Sequence, residues 1–455
     1  MQPFEWHGQW RLPGKPDWVG GILHFTPEAG LKLSLLGSLT SLEALINGPD
    51  YYPLIHGLTT DGQSVTLRRC YQTHAGFGTG ATSEQFLAHE CFEGALFEAE
   101  EEVLFDVVKI AFRAATGWCK ATGLNWEREA PREITLNYRQ VEDSVALTPS
   151  KTIRMLIEPK SSRRPHEFSI SEGLVFEIRS AGPLPLAAID AEIIGPIRNL
   201  VTLFTGTPWS IDGLSVCSPQ LNMQVGQQQR PIPLELYRNP IFGGSEGLES
   251  VRQLVEYAWF SEHFASVVSL WLKACSDIGT AMNLFFGLLD LRSVFQEQRF
   301  LLAMQALEAY HRHRFKNRIL PEEEHQGRVR AVLEAVPSLH KKWVSSMLAF
   351  TNEPRLNNRL SELVQRLGDL PPALYEAFRD FGPEAVRARN YLTHYDPKAK
   401  RGAPSVSRLV LLTSQAQLLM SGLLLLEVGA QQAEVQGFIT KSGHIQTIAA
   451  VRTQL

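Results

Sequence analysis

The sequence predicts an α+β protein with a β-rich N-terminal domain at residues 1–265 and an all-α domain at residues 266–455. Short apolar runs with alternating or β-branched residues fill the first half and are typical of strands. From Leu248 onward almost no strand pattern remains, and long segments with apolar residues three or four positions apart follow one another. A run of strands followed by a run of helices indicates two domains with separate cores.

Six runs in the first half are predicted as strands because turn residues separate them. They are Ile22–Phe25, Leu31–Leu36, Ser64–Cys70, Glu133–Arg139, Thr152–Pro159 and Gly173–Ser180. Two helices are expected to interrupt the pattern, at Phe112–Thr122 and at Leu186–Phe204. The second is the clearer one, because Ile189, Ile193 and Ile197 recur at helical spacing.

The second half is predicted as a succession of helices, and the first of them are compatible with either domain. The segments are Leu248–Phe264, Val267–Phe286, Val294–Phe315, Pro321–Ala335, Ser338–Ala349, Arg355–Leu367, Pro383–His394 and Ser407–Val428.

Composition limits the functional classes. The 455 residues carry 44 basic and 48 acidic side chains, so no net positive field attracts nucleic acid, and any such binding requires a local basic patch. The five cysteines are widely spaced and form no CxxC pair, which argues against a disulfide framework or a zinc ribbon. The N-terminus lacks the basic and apolar regions of a secretory signal. We therefore expect a cytoplasmic protein.

One apolar segment, Leu409–Leu426, is uncharged and long enough to cross a bilayer. It contains Gln415 and Gln417, which a membrane span tolerates poorly. The sequence therefore favours a buried helix of a bundle over a membrane span.

The stretch RARNYLTHYDP holds the main candidate site. Pro383 is expected at the first helical position, and Asp396-Pro397 is expected to end the helix. On this helix Arg387, Asn390 and His394 share one face, with Arg389 on its flank.

This residue set suits cleavage of RNA without a metal, because the 2′-hydroxyl of RNA is an internal nucleophile. Histidine exchanges a proton near neutral pH, and arginine binds phosphate oxygens in a planar, bidentate manner. Asparagine can orient the histidine ring or bind phosphate. The spacing alone leaves two alternatives open, which are a catalytic set and the solvated polar end of a helix.

A second feature is the basic stretch HRHRFKNR, which holds Arg312, Arg314, Lys316 and Arg318 and no acid. It is interpreted either as a patch that binds phosphates beside the site or as a solvated helix end with cations at its negative pole. A metal site at His311-x-His313 is disfavoured, because residues i and i+2 face different sides of a helix. No metal or cofactor is expected.

RNYLTH in the motif helix, followed by the apolar helix LVLLTSQAQLLMSGLLLLE, resembles the signature of HEPN domains. FLLAMQALEAYHRHRF, residues 300–315, resembles the long helix of the ApeA-like branch of that family. FEWHGQWRLPG, GGILHFTPEAGLKLSLLG and FDVVKIAFRAATGWCKATG are similar to the N-terminal domain that accompanies ApeA-like HEPN domains.

The resemblance implies a bacterial anti-phage ribonuclease that acts by abortive infection as a metal-independent homodimer with facing motif helices. The family's arginine, polar residue and histidine fall on Arg389, Asn390 and His394, and its acidic residue on the preceding long helix falls on Glu308. RNA is the implied substrate, with tRNA as the first candidate, and the N-terminal domain would sense a phage-encoded trigger. The alternative is a non-catalytic module that binds RNA or a protein in a defence system.

Overall fold

The computed structural model describes residues 1–40, 49–77, 82–130, 133–238, 253–291, 293–394 and 403–454. A β-rich region at residues 4–238 precedes an all-helical region at residues 257–452, which confirms the predicted fold class. The chain divides into two compact units. The first, called the β unit, comprises Met1–Glu249 and Glu256–Ala265. The second, called the helical unit, comprises Ser250–Val255 and Ser266–Leu455.

The β unit contains fourteen strands within the described residues. They are β1 (Phe4–Arg11), β2 (Val19–Thr26), β3 (Gly30–Leu36), β4 (Tyr51–Thr59), β5 (Ser64–Phe77), β6 (Thr82–Glu93), β7 (Leu104–Phe112), β8 (Leu124–Ala130), β9 (Glu133–Tyr138), β10 (Ser144–Leu147), β11 (Lys151–Arg164), β12 (Glu167–Pro185), β13 (Gly213–Val225) and β14 (Gln228–Arg238).

Twelve of these strands form one antiparallel sheet in the order β10-β11-β12-β7-β13-β14-β6-β3-β2-β1-β4-β5, and β8 pairs with β9 separately. An additional β5–β6 pairing closes the last six strands into a barrel, and β14 joins the open part of the sheet to that barrel at β6. Closure pairs β5 on both sides, so it is not an exposed edge, whereas β10 remains at the other end of the sheet.

Trp10 lies at the centre of the barrel and is completely buried. Its ring occupies the space above Gly57 in β4, where an added Cβ would lie 2.3 Å from ring atom Cζ3. Glycine is thus required at position 57 because the indole approaches the backbone closely.

The first predicted helix, Phe112–Thr122, is confirmed in position but is shorter than predicted. Its first residue ends β7, and the rest forms a 3₁₀ turn at Arg113–Ala115 and the short helix α1 (Thr116–Cys119). The second predicted helix is confirmed as α2 (Leu186–Ile189) and α3 (Gly195–Thr205), joined by a π-helical turn.

Within the described residues the helical region begins with α4 (Tyr257–Asp277), so the predicted break between residues 264 and 267 is wrong. The predicted helix start at Leu248 lies outside the described residues. The further helices are α5 (Gly279–Asp290), α6 (Gln296–Arg314), α7 (Glu322–Ala335), α8 (Lys341–Leu348), α9 (Leu356–Gln365), α10 (Pro372–Phe378), α11 (Phe381–His394), α12 (Val406–Glu427), α13 (Gln432–Thr440) and α14 (Gly443–Arg452). The sequence pattern missed α10, α13 and α14, which are all short.

Helix α12 is the centre of the helical unit and contacts α6, α9, α11, α13 and α14. By length and composition it could cross a membrane, but 89% of its most apolar stretch is buried by neighbouring helices. Its Gln415 is buried and donates a hydrogen bond to the carbonyl of Ala377 at 2.6 Å. This agrees with the preference for a bundle helix.

A buried arginine joins three segments of the helical unit. Arg359 in α9 is 2% exposed. Its Nε donates to the carbonyl of Pro354 at 3.0 Å, its Nη1 contacts Nδ1 of His311 at 3.0 Å and Oδ1 of Asn317, and its Nη2 pairs with Glu353 at 3.1 Å. A buried guanidinium is stable only when its donors are satisfied in this way.

These contacts fix the protonation of His311, which is fully buried in α6. Arginine can only donate, so Nδ1 of His311 accepts from Arg359, and Nε2 carries the proton that it donates to Glu362 at 2.7 Å. Burial lowers the pKa of His311, and Arg359 lowers it further. The folded unit therefore holds a neutral histidine.

We expect the free energy of unfolding of the helical unit to decrease as the pH falls below about 6.5. The unfolded chain binds a proton at His311 near its ordinary pKa of 6.5, whereas the folded chain binds it only at lower pH, so acid favours unfolding. Chemical denaturation at several pH values measures this slope. His311→Gln should make it shallower, with a remainder from His444, whose pKa burial lowers to about 4. His313→Gln, at an exposed position on the same helix as His311, should preserve it. An equal slope in both variants would contradict the assignment.

Candidate active site

The motif helix α11 has a clear division between core and surface. Phe381, Ala385, Ala388 and Leu392 are buried and recur at helical spacing, so they pack this helix into the bundle. Helix α11 contacts α6, α9 and α12. The motif is thus carried by a helix that its apolar face holds in place.

The helix begins two residues before the predicted start. Phe381 is its first residue, so Pro383 stands at the third helical position and not at the first. Glu384 in the first turn forms an ion pair with Arg408 of α12 at 2.8 Å. The helix extends to His394, and the predicted end at Asp396-Pro397 lies outside the described residues.

The predicted site residues fall on the side of α11 opposite the core. Arg387, Asn390 and His394 are exposed, and none of the three has a hydrogen bond or an ion pair with another described residue. Arg389 lies on the flank of this surface with its side chain 36% exposed. The helix therefore presents an imidazole, an amide and a guanidinium to solvent while the flank holds a second guanidinium.

Glu308 on α6 contacts the flanking arginine. Its Oε2 lies 3.9 Å from Nη2 of Arg389, and its Oε1 lies 3.5 Å from Nη2 of Arg312. The same nitrogen of Arg312 is 3.1 Å from Oε2 of Glu353, which also binds the buried Arg359. Alternating charges thus connect the buried arginine to the motif arginine.

Two of the predicted phosphate-binding residues are already engaged within the chain. Arg314 forms a two-point contact with Glu427, with distances of 3.1 and 2.8 Å, and a further ion pair with Asp277 at 3.2 Å. Tyr310 donates to the same Glu427 at 2.6 Å. Arg312 likewise forms ion pairs with the carboxylates of Glu308 and Glu353. These contacts favour the structural interpretation of the basic stretch for both arginines.

Lys316 and Arg387 differ from them. Both are exposed, and neither forms an ion pair in the described part of the chain. Within the helical unit they are the predicted phosphate-binding residues whose charge is not neutralised by a neighbour. Phosphate binding through them stays a prediction.

The pair His311 and His313 does not form a metal site. The ring of His311 is buried and uses both nitrogens, and it stacks on Phe315 with ring centroids 4.6 Å apart, whereas His313 is exposed. Among the described residues, no three His, Cys, Asp or Glu side chains cluster as metal ligands.

Sequence reasoning did not find Glu353 or Arg359, although both act on the site through Arg312. Arg359 lies in RLNNRL, which has the pattern of an ordinary polar helix face. The position is buried because the loop residues Glu353 and Pro354 and the distant residues His311 and Asn317 contact Arg359. No signal in the local sequence distinguishes it.

One copy of α11 can supply one proton carrier, one orienting amide and two guanidinium groups. These groups suffice to bind a phosphodiester and to stabilise added negative charge. A displacement at phosphorus also needs a base and an acid on opposite sides of the reacting atom.

Two known domain families together match most of the chain. ApeA N-terminal domain 1 matches residues 5–271, and the Apea-like HEPN domain matches residues 301–434, which include the whole of α11. No curated protein and no solved structure matches the chain. HEPN domains are generally ribonucleases, and the matched domains are those of an anti-phage defence protein. The chain therefore belongs to the ApeA-like family of HEPN-domain proteins.

Proposed function

We propose that this protein is a metal-independent endoribonuclease that cleaves RNA at a site formed by the α11 helices of two copies. The observation that carries the proposal is the joint exposure of His394 and Asn390 beside Arg389, which Glu308 contacts from α6. The membership in a HEPN family supports it.

In this reaction the 2′-hydroxyl oxygen attacks the adjacent phosphorus. His394 of one copy accepts the hydroxyl proton, the bond from phosphorus to the 2′-oxygen forms, and the bond to the 5′-oxygen breaks. Protonated His394 of the other copy gives its proton to the leaving 5′-oxygen. Arg389 stabilises the extra charge on the phosphoryl oxygens, and Asn390 orients the ring or the phosphate. The products are a 2′,3′-cyclic phosphate and a 5′-hydroxyl end.

The membership in a defence family supports the biological role that we propose. The enzyme cleaves host RNA, with tRNA as the first candidate, and thereby aborts the infection. The β unit senses a phage-encoded trigger. Sequencing of RNA ends after induced expression identifies the substrate. Tight RNA binding without new ends would instead support the non-catalytic alternative.

We expect His394→Ala and Arg389→Ala each to lower the rate of RNA cleavage by roughly 10² to 10⁴, because each removes proton transfer or charge stabilisation. Purified chain is incubated with tRNA and with mRNA in EDTA, and the cleaved ends are mapped. Thr393→Ala is the matched control, since Thr393 is exposed on the same turn. Equal cleavage by wild type and both motif variants would remove the motif from the mechanism, and loss of activity in EDTA would contradict a metal-free reaction.

If two copies form each site, an inactive copy abolishes the activity of the wild-type copy with which it pairs. Adding an excess of the His394→Ala chain to wild type places nearly every wild-type chain in a mixed dimer, so cleavage per wild-type chain should fall towards background. The Thr393→Ala chain, added at the same excess, should not lower the cleavage rate. If cleavage per wild-type chain stays constant with the His394→Ala chain, each copy holds a complete site.

We expect Glu308→Gln to lower kcat by about tenfold with little change in KM, because a neutral amide orients Arg389 less firmly than a carboxylate does. Steady-state cleavage of a short RNA measures both constants. Glu324→Gln, which removes an exposed carboxylate paired with Arg328, is the control. A rise in KM without a change in kcat would show that Glu308 affects RNA binding and does not position Arg389.

A further inference from the structure

Helices α7 and α8 form a hairpin, residues 320–352, that contains no buried helical residue. His325 near the start of α7 contacts Thr351 after the end of α8 at 3.0 Å, so the two helices run in opposite directions. Asn352 closes the base of the hairpin through hydrogen bonds of 2.9 and 3.2 Å with the backbone of Leu320. The hairpin is therefore a defined element with a fixed base.

Four large apolar side chains in α8 and in the residues that flank it are exposed, and we call this set the stripe. Leu339 is 84% exposed, Trp343 64%, Met347 62% and Phe350 74%. Trp343 and Met347 lie one turn apart in α8, Leu339 lies in the 3₁₀ turn Ser338–His340 that precedes it, and Phe350 lies two residues after its end. The stripe is thus a local cluster and is not a set of scattered surface residues.

A different face of α8 packs against α7 within the hairpin. Val344 and Leu348 are half-buried where α8 contacts α7, and Leu333 of α7 is half-buried as well. Helix α8 thus carries apolar residues on two faces, of which α7 covers one. The second face has the pattern of a helix that packs against another helix.

The charge of the hairpin indicates which kind of partner it binds. Its acids and bases balance, since Glu322, Glu323, Glu324 and Glu334 stand against Arg328, Arg330, Lys341 and Lys342. A surface without net positive charge gains little from RNA or from an anionic lipid surface. The stripe is therefore suited to a protein partner.

The hairpin is also complementary to itself. Lys341 and Lys342 lie at the start of α8, and Glu323 lies at the start of α7, near the end of α8. All three are exposed, and none has an ion pair among the residues that the structure describes. Two copies of α8 paired in opposite directions place the lysines of each copy near Glu323 of the other.

The area of the stripe agrees with this partner. A whole aromatic side chain covers about 150–250 Å², so Trp343 and Phe350 each expose roughly 150 Å². With Leu339 and Met347 the stripe offers on the order of 500 Å². This is close to the apolar share of the roughly 800 Å² that each partner buries in a standard interface.

We propose that the stripe formed by Leu339, Trp343, Met347 and Phe350 binds the same stripe of a second copy of this chain, with the two α8 helices antiparallel about a two-fold axis. The same surface then meets itself, as in other isologous interfaces. This contact goes beyond the proposed ribonuclease site, and neither requires the other.

The test measures the mass of the full chain by sedimentation over a range of concentrations. Trp343→Glu and Met347→Glu should each raise the dissociation constant of one association step about thirtyfold or more, the effect of losing an interface hot spot. Both positions are exposed, so the variants should fold. Ser345→Glu, on the opposite side of α8, should associate as wild type does. Unchanged association of both stripe variants overturns the proposal.

Charge reversal tests the antiparallel arrangement. Lys341→Glu combined with Lys342→Glu should weaken association, and adding Glu323→Lys should restore part of it. The absence of any restoration overturns the arrangement. A wild-type chain that stays monomeric, but sediments with phosphatidylcholine–phosphatidylglycerol vesicles through Trp343, would show a lipid surface as the occupant and overturn the proposal.

The two proposals fail separately. His394→Ala should associate as wild type does, because His394 lies on α11 and not on the hairpin. Loss of RNA cleavage in His394→Ala with normal association would bear only on the proposed active site at α11. If wild type cleaves RNA normally and Trp343→Glu does not change the mass of the assembly, only the proposed contact through the stripe is contradicted.

Discussion

The packing of the helical unit depends on the hydrogen bonds that satisfy one buried charged side chain, that of Arg359. Arg359 cannot be buried unless each of its donors finds an acceptor, and those acceptors come from α6, from the loop after it and from the segment that precedes α9. The requirement fixes the tautomer of His311 and the position of Glu353. Since Glu353 also binds Arg312, the same requirement reaches the surface beside Arg389.

The site gains its rigidity from this arrangement. Helix α11 is held by its apolar face, and Arg389 lies against α6 through Glu308, so the motif stands on regular elements and not on a loop. His394 and Asn390 have no such neighbours among the described residues and remain open to a ligand. The structure thus places the guanidinium of Arg389 3.9 Å from a carboxylate, whereas the side chains of His394 and Asn390 are exposed.

The sequence predicted features that depend on local periodicity. It placed α6, α9, α11 and α12 within a few residues, and the 3.6-residue period correctly put Arg387, Asn390 and His394 on one side and Arg389 on the flank. It missed β7 (Leu104–Phe112), although this segment is rich in β-branched and aromatic residues and pairs with β12 and β13 on its two sides. The contacts of Glu353 and Arg359 depend on a loop whose course no local pattern encodes.

A single copy is chemically incomplete for the proposed reaction. The attacking and leaving oxygens lie roughly in line on opposite sides of phosphorus, and each needs a proton carrier within about 3 Å. One α11 helix provides one histidine, which cannot stand on both sides at once. In the proposed dimer the second copy supplies the second histidine, since two-fold symmetry repeats His394 and Arg389 together. Asn352 at the base of the hairpin directly precedes Glu353, whose Oε2 lies 3.1 Å from Nη2 of Arg312.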